Sequence, residues 1–224
     1  MKKQHYLIIA IVAVLAVAIT VVVFFGDRLL GVIRKDTSYT HITMRDLPEM
    51  PVDPLEHLEA LQREITRDYV LIGDSRTVGL DMATGISANP KIRIVAKTGM
   101  GHNWLVQEAL PEANRTRIEN YVMLLGCNDL AMIDRYIETY NQLIESGKKL
   151  TVVTVGPVKE GVGGYTIQNA EIEAFNARLS EVEGAQLLDL YGYLTRNGFE
   201  TPDGVHYTDE TYYTMLVFLL ERLE

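Results

Sequence analysis

Cysteine and basic side chains are scarce in this chain. Cys127 is the only cysteine among 224 residues, which rules out an intrachain disulfide but leaves the compartment open, because many exported bacterial proteins have none. Outside residues 1–36, 16 basic and 28 acidic side chains give a net charge of −12. Phosphate binding requires a basic face, so this balance argues against a nucleic-acid partner and against a domain lying flat on anionic lipid.

Three common site motifs are also missing. None of the five histidines belongs to a His-Glu-x-x-His metal pattern. Ser75 is followed by Thr77 where the Gly-x-Ser-x-Gly nucleophile elbow of α/β-hydrolases requires glycine. The pair Gly99 and Gly101 lacks the third glycine of a dinucleotide fingerprint, so a Rossmann cofactor site is not expected.

One long uncharged run stands near the amino terminus. Residues 6–25 carry no charge and, at ~1.5 Å per residue, would span roughly 30 Å as a helix, the thickness of a bilayer's hydrocarbon core. A cleaved signal peptide is the alternative, but its apolar region usually has only ~7–15 residues and ends at a small-x-small site. We therefore predict an uncleaved single-pass anchor. The flanking charges are nearly balanced, and we place the following domain outside the cell membrane, as is usual for a signal anchor.

The chain divides into three parts by composition. Residues 1–26 form the predicted cytoplasmic tip and transmembrane anchor. Residues 27–67 form a juxtamembrane stalk that is rich in charges and proline and ends in a short amphipathic helix over 55–65. Residues 68–224 form the predicted folded domain.

Strand-length apolar runs alternate with helical patterns from residue 69 onward. Strands are expected at 69–72, 92–96, 121–125, 150–155 and 186–190, and helices at 131–146, 167–182 and 208–223. This alternation predicts a parallel sheet covered by helices on both faces. In such sheets, sites gather where the carboxyl ends of strands meet loops.

A serine directly follows the first of these strands. Gly73-Asp74-Ser75-Arg76 comes after the apolar run 69–72, and the next residues can start a helix. A helix N-terminus beside the hydroxyl would favour developing negative charge, so Ser75 is a candidate nucleophile. A structural N-cap serine is the alternative.

An acid and a histidine stand three residues apart near the carboxyl terminus. Asp203 lies in a Pro-Asp-Gly turn ahead of a predicted helix, and His206 follows it. One loop could present both groups, the carboxylate holding the imidazole tautomer while the other ring nitrogen faces a nucleophile. A turn aspartate and a helix-leading histidine are the structural alternative, and Asp189, at the end of the fifth predicted strand, is a rival acid.

Two further loops follow predicted strands. Asn128 could donate its side-chain amide to an oxyanion, or could simply form an Asx-turn. Gly99 and Gly101 allow backbone N–H groups to approach a ligand closely. Each signal is weak alone, but their order and their placement after different strands are hard to obtain by accident.

Together these segments resemble the SGNH family, also called GDSL-type esterases. The matching segments are Gly73-Asp74-Ser75, with Arg76 in place of leucine, Gly99-Met100-Gly101, Gly126-Cys127-Asn128-Asp129 for Gly-x-Asn-Asp, and Asp203-Gly204-Val205-His206 for Asp-x-x-His. The resemblance covers roughly residues 68–224. It implies a flavodoxin-like three-layer α/β/α sandwich with a mostly parallel five-stranded sheet, here preceded by the transmembrane helix.

The resemblance also implies a mechanism that needs no metal or organic cofactor. His206 takes the proton of Ser75, which attacks an ester carbonyl, and Asp203 orients His206. Asp203 is preferred to Asp189 because its spacing from His206 matches the family.

The oxyanion and the substrate would be held by neighbouring groups. The resemblance assigns the oxyanion to the N–H of Ser75, the side chain of Asn128 and the N–H of Gly101, for which Gly99 competes. Arg76, Gly99 and Trp104 are expected to contact substrate. Trp104, three residues past Gly101, could serve as a sugar platform, although a buried helix residue is the alternative.

The expected substrate is a short acyl ester on an extracellular or cell-wall carbohydrate. No apolar segment suited to covering a long lipid is evident outside the membrane span, which favours a small acyl group on a polar carrier. The glycine-rich segment 156–165 is expected to be a mobile rim loop or a plain connector. An O-acyltransferase that acts on a glycan, and a catalytically silent module that keeps the fold, are the alternatives.

Overall fold

A computed structural model of the protein describes residues 54–223, with side chains from His57 onward. The predicted anchor over 1–26 and the stalk up to residue 53 lie outside the described residues and stay predictions. Within the described part of the chain, no helix is both long and apolar enough to cross a membrane.

The predicted sheet is confirmed. Its strands are β1 (Tyr69–Gly73), β2 (Ile92–Ala96), β3 (Asn120–Leu124), β4 (Lys149–Val153) and β5 (Gln186–Leu188). They pair in the order β2-β1-β3-β4-β5, and every neighbouring pair is parallel. Gly73 is in register with Ala96 and Leu124, so β1, β2 and β3 end at the same edge and their following loops meet there.

The helices alternate with the strands, as the sequence pattern indicates. They are α1 (Pro54–Glu64), α2 (Ser75–Thr84), α3 (residues 102–113, in which a π turn over Leu105–Ala109 joins two short α segments), α4 (Ile133–Glu145), α5 (Asn169–Leu179), α6 (Leu190–Asn197) and α7 (Asp209–Leu223).

Helices α3 and α6 were not predicted. Helix α3 departs from regular α geometry within its π turn, which weakens its periodicity. Helix α6 begins where the fifth strand was expected to continue. The Asp189 carboxylate accepts the Gly192 N–H at 2.8 Å, which caps the helix and ends the strand at Leu188.

Alternating strand residues build two cores on opposite faces of the sheet. Val70 and Ile72 of β1 pack with α3, α4 and α5, whereas Tyr69 and Leu71 pack with α1, α2, α6 and α7. A period of two places successive side chains on opposite faces, so each strand needs a helical layer on both sides. The result is the expected three-layer α/β/α arrangement.

Helix α1 belongs to this folded unit, although the sequence placed it in the stalk over 27–67. Leu58 is buried, as is Ile65 just after the helix, and both join the core that contains helix α7. His57 reaches Glu221 at the end of α7, at 3.5 Å. Helix α1 is therefore packed as part of the described domain, ahead of residue 68.

Removal of the Leu58 side chain should destabilise the whole domain. Leu58→Ala leaves a cavity between α1 and α7, and we expect a loss of about 2–5 kcal/mol in the free energy of unfolding. Glu59→Ala, at an exposed position of the same helix, is the matched control and should have little effect. Urea denaturation measures both; equal stability of the two variants would mean that α1 is dispensable for the fold.

Candidate active site

Ser75 is held at the turn from β1 to α2. It is the first residue of α2, and Asp74 caps the helix by accepting the Arg76 N–H at 3.0 Å. A Cβ at Gly73 would overlap the Thr77 side chain, so only glycine allows the strand to enter the helix this closely. The turn presents the Ser75 hydroxyl at the carboxyl edge of the sheet, beside the N-terminal end of α2 with its positive partial charge.

The loop over residues 201–206, which we call the acid–base loop, brings Asp203 and His206 to this serine. One Asp203 oxygen accepts the backbone N–H groups of Val205 and His206 at 2.9 and 2.8 Å. The other lies 2.6 Å from His206 Nδ1, and His206 Nε2 lies 2.9 Å from Ser75 Oγ. The structure thus links a hydroxyl, an imidazole and a carboxylate in one chain of hydrogen bonds.

The protonation states of these three hydrogen-bonded groups follow from the surroundings of Asp203. Partial burial acts to raise the pKa of Asp203, but the hydrogen bonds from the His206 ring and from the two backbone N–H groups outweigh it and lower the pKa to about 2. An ionised carboxylate can only accept, which places a proton on His206 Nδ1. His206 Nε2 is then free to accept the proton of the Ser75 hydroxyl.

Asp189, the rival acid, has a different role in the structure. Its side chain is exposed, caps α6 through the Gly192 N–H, and lies 3.9 Å from Arg196. The hydrogen-bond geometry therefore favours Asp203 as the partner of His206.

Asn128 and Gly99 line the same cleft as Ser75 and His206, which has a volume of about 300 Å³. Asn128 follows β3, and its side-chain Nδ2 donates to the Met100 carbonyl at 2.9 Å, which ties the two loops together. Asn128 Nδ2 also lies 3.4 Å from an Asp74 side-chain oxygen, so this amide contacts both the loop after β2 and the residue that precedes Ser75.

Gly101 lies against the side chain of Asp129. A Cβ there would overlap the Asp129 carboxylate, and that carboxylate accepts the His102 N–H at 2.6 Å and the Tyr136 hydroxyl at 2.8 Å. Gly101 thus serves the packing of its loop on Asp129, whereas Gly99 borders the cleft.

Arg76 is buried below the cleft, whereas the sequence predicts that it contacts substrate. Its side chain is only 6% exposed and lies beneath the site, 4.8 Å from the centroid of the Tyr207 ring. Nε donates to the Val205 carbonyl at 2.9 Å, Nη1 to Gly156 at 2.8 Å and Nη2 to Pro157 at 3.2 Å. The guanidinium therefore fastens the acid–base loop and the loop after β4 to the residue that follows Ser75.

Trp104 is not a sugar platform. It is 8% exposed and belongs to the core between the sheet and α3, α4 and α5. Its position on the buried side of α3 explains the difference, because nothing in the local sequence showed which side of that helix faces the core.

The segment that follows β4 forms one rim of the cleft, and we call residues 156–167 the rim loop. Tyr165, 47% exposed, lines the cleft together with Thr166 and Ile167. The glycines that precede Tyr165 predict a loop here, but nothing in the sequence identifies Tyr165 as a residue of the site. A Cβ at Gly163 would overlap the Asp203 carbonyl, and Lys159 N–H donates to the Gly204 carbonyl at 2.8 Å. The rim loop is thus packed directly on the acid–base loop.

Comparison with known proteins identifies solved structures of similar fold. No family model matches the sequence, and no curated protein matches it. A GDSL-like lipase from Bacteroides thetaiotaomicron is similar in structure, with a TM-score of 0.55 at 16% identity over 75% of this chain and 96% of that one. An acetyl xylan esterase, AlAXEase, gives 0.54 at 16% identity over 70% and 100%. The catalytic domain of Streptococcus pneumoniae peptidoglycan O-acetyltransferase A gives 0.52 at 18% identity over 71% and 93%.

These identities show the fold alone. The described domain has the α/β fold of GDSL-type lipases and acylhydrolases, the SGNH fold.

The buried Asp74 gives the stability of the site a distinctive pH dependence. Burial raises the pKa of Asp74 to about 6, although the N–H and the charge of Arg76 act to lower it. The contribution of Asp74 to the free energy of unfolding is therefore complete below pH ~4 and is lost as the pH rises through about 6. Asparagine caps a helix as well as aspartate does and cannot ionise. We expect Asp74→Asn to gain on the order of 2–3 kcal/mol in unfolding free energy relative to the natural chain between pH 4 and pH 8.

Urea denaturation of both proteins at several pH values measures this difference. A difference that stays constant from pH 4 to pH 8 would show that Asp74 titrates as an exposed carboxyl does.

Proposed function

We propose that the protein is a serine esterase of the SGNH type that hydrolyses short acyl esters, such as acetyl esters, on carbohydrate. The observation that carries this proposal is the hydrogen-bonded chain from Ser75 Oγ through His206 to Asp203, which opens into a cleft. The His206 side chain is 32% exposed and lines that cleft, so the imidazole is accessible to a substrate bound there.

In the first half of the reaction, His206 Nε2 takes the Ser75 proton while Oγ attacks the ester carbonyl carbon. The tetrahedral intermediate collapses as His206 returns that proton to the departing alcohol oxygen, and the acyl group remains on Ser75. Water then loses a proton to His206 as its oxygen attacks the acyl carbon, and His206 returns that proton to Ser75 Oγ as the carboxylic acid leaves. Asp203 stabilises the imidazolium in both halves.

The oxyanion is held by donors from separate loops. The Ser75 N–H lies at the N-terminus of α2, and Asn128 and Gly99 border the same cleft. We assign the glycine donor to Gly99 in place of Gly101, because Gly101 lies against the Asp129 carboxylate.

A short acyl group on a polar carrier suits the cleft. Its volume is about 300 Å³, and its lining includes Thr98 and Thr166. The likeness to an acetyl xylan esterase supports a carbohydrate ester. The likeness to the peptidoglycan O-acetyltransferase domain favours a second candidate, in which a sugar hydroxyl replaces water in the second half-reaction. Product analysis with an acyl donor and a glycan acceptor distinguishes hydrolysis from transfer.

A serine-directed phosphonate and an acetyl ester test the proposed chemistry. Ser75→Ala should abolish both labelling and hydrolysis. Asp203→Asn should lower kcat by about 10⁴, because the wrong imidazole tautomer is then favoured. Asp189→Asn is the matched control, since that carboxylate caps α6, and it should keep most activity. Labelling of another serine in the Ser75→Ala protein would refute the assignment, and so would equal losses in the two aspartate variants.

We further propose that residues 6–25 anchor the chain in the cell membrane, with the domain outside. The length of this uncharged run supports the proposal. The full chain should then remain in the membrane fraction after alkaline carbonate extraction, and the domain should be accessible to protease added to intact spheroplasts. Release by carbonate, or protection from the protease, would contradict it.

A further inference from the structure

Tyr165 is a large exposed aromatic side chain beside the imidazole of His206. The two ring centroids are 6.2 Å apart, and the rings meet edge to face at 74°. With 47% of its surface exposed, Tyr165 belongs to neither of the two cores. Burial in the core therefore does not explain its position at the cleft.

Proton transfer by His206 determines which part of a substrate would lie beside Tyr165. On acylation, the bond between the carbonyl carbon and the alcohol oxygen breaks, and His206 Nε2 gives that oxygen the proton it took from Ser75. The alcohol part of the ester must therefore lie next to His206. The carbonyl oxygen lies toward Gly99 and Asn128. Tyr165 adjoins His206, and so it lies on the alcohol side.

The position of Tyr165 is fixed by the rim loop. Gly163 and Gly164 have positive φ values of 69° and 77°, which favour glycine, and Gly163 lies against the Asp203 carbonyl. Asn169 follows the rim loop and closes it: its side chain accepts the Val158 N–H at 3.0 Å and donates to the Val158 carbonyl at 2.9 Å. The ring is therefore presented by a closed loop that rests on the acid–base loop.

We propose that Tyr165 binds the carrier of the ester and that the carrier is a neutral sugar ring stacked on the tyrosine. This inference rests on the proposed function and names its substrate class. A pyranose has a face of C–H groups and a rim of hydroxyls, which match an aromatic face with a wet hydroxyl tip. Thr98 and Thr166 supply hydroxyls nearby. The net charge of −12 over residues 37–224 disfavours an anionic carrier.

The full chain in detergent micelles tests the inference with two acetyl esters that differ only in the alcohol. An acetylated xylo-oligosaccharide carries a sugar ring, and ethyl acetate does not. Tyr165→Ala should lower kcat/KM on the oligosaccharide about tenfold, mainly through KM, because the sugar ring loses the aromatic face on which it stacks. Hydrolysis of ethyl acetate should change less than about twofold. Tyr165→Phe keeps the ring and should keep activity on both esters.

Leu187→Ala, at a 40% exposed apolar position on β5, is the surface control and should leave both reactions unchanged. Equal losses on both esters in Tyr165→Ala, or no loss on either, would overturn the sugar assignment while leaving the esterase intact. A loss confined to a long-chain alkyl acetate would overturn it in favour of an aliphatic carrier. If the natural chain hydrolyses neither ester and Ser75 resists the phosphonate, the proposed function itself fails.

Discussion

The buried guanidinium of Arg76 holds the site together. Its donors bind backbone carbonyls at Val205, Gly156 and Pro157, so the turn from β1 to α2, the acid–base loop and the rim loop meet on one side chain. Removing a charge from water is costly unless every donor finds an acceptor, and here the planar fork of arginine reaches carbonyls that a lysine could not bind together. The 2.9 Å contact between Ser75 and His206, which come from distant parts of the chain, depends on this geometry.

The sequence allowed the sheet and the reactive groups to be predicted because both follow local rules. Buried parallel strands are short apolar runs, and all five expected runs form strands. The carboxyl ends of parallel strands share an edge, so Ser75 and Asn128 had to lie near one another. Asp203 and His206 are three residues apart, a separation that one turn can span, and their contact at 2.6 Å needed little from the rest of the fold.

What could not be predicted depends on tertiary packing. Arg76 follows the serine and looked like a residue for substrate, but its burial is decided by loops 80 and 129 residues away in sequence. Trp104 lies in a helix with a π turn, whose irregular period conceals which side faces the core. Gly99 and Gly101 are two residues apart, and only the folded structure shows that Gly101 packs against the Asp129 carboxylate whereas Gly99 lines the cleft.

The close approach of the rim loop to the acid–base loop has a consequence for how this protein can diverge. Gly163 lies against the Asp203 carbonyl, and a Cβ on Gly204 would come within 2.7 Å of the Val162 carbonyl. Neither loop leaves room for a side chain at these glycines, so an insertion or a bulky replacement in one loop would shift the backbone that carries Asp203. In the proposed esterase, substrate preference would therefore change more readily by exchange of exposed side chains, such as that of Tyr165, than by remodelling of either loop backbone.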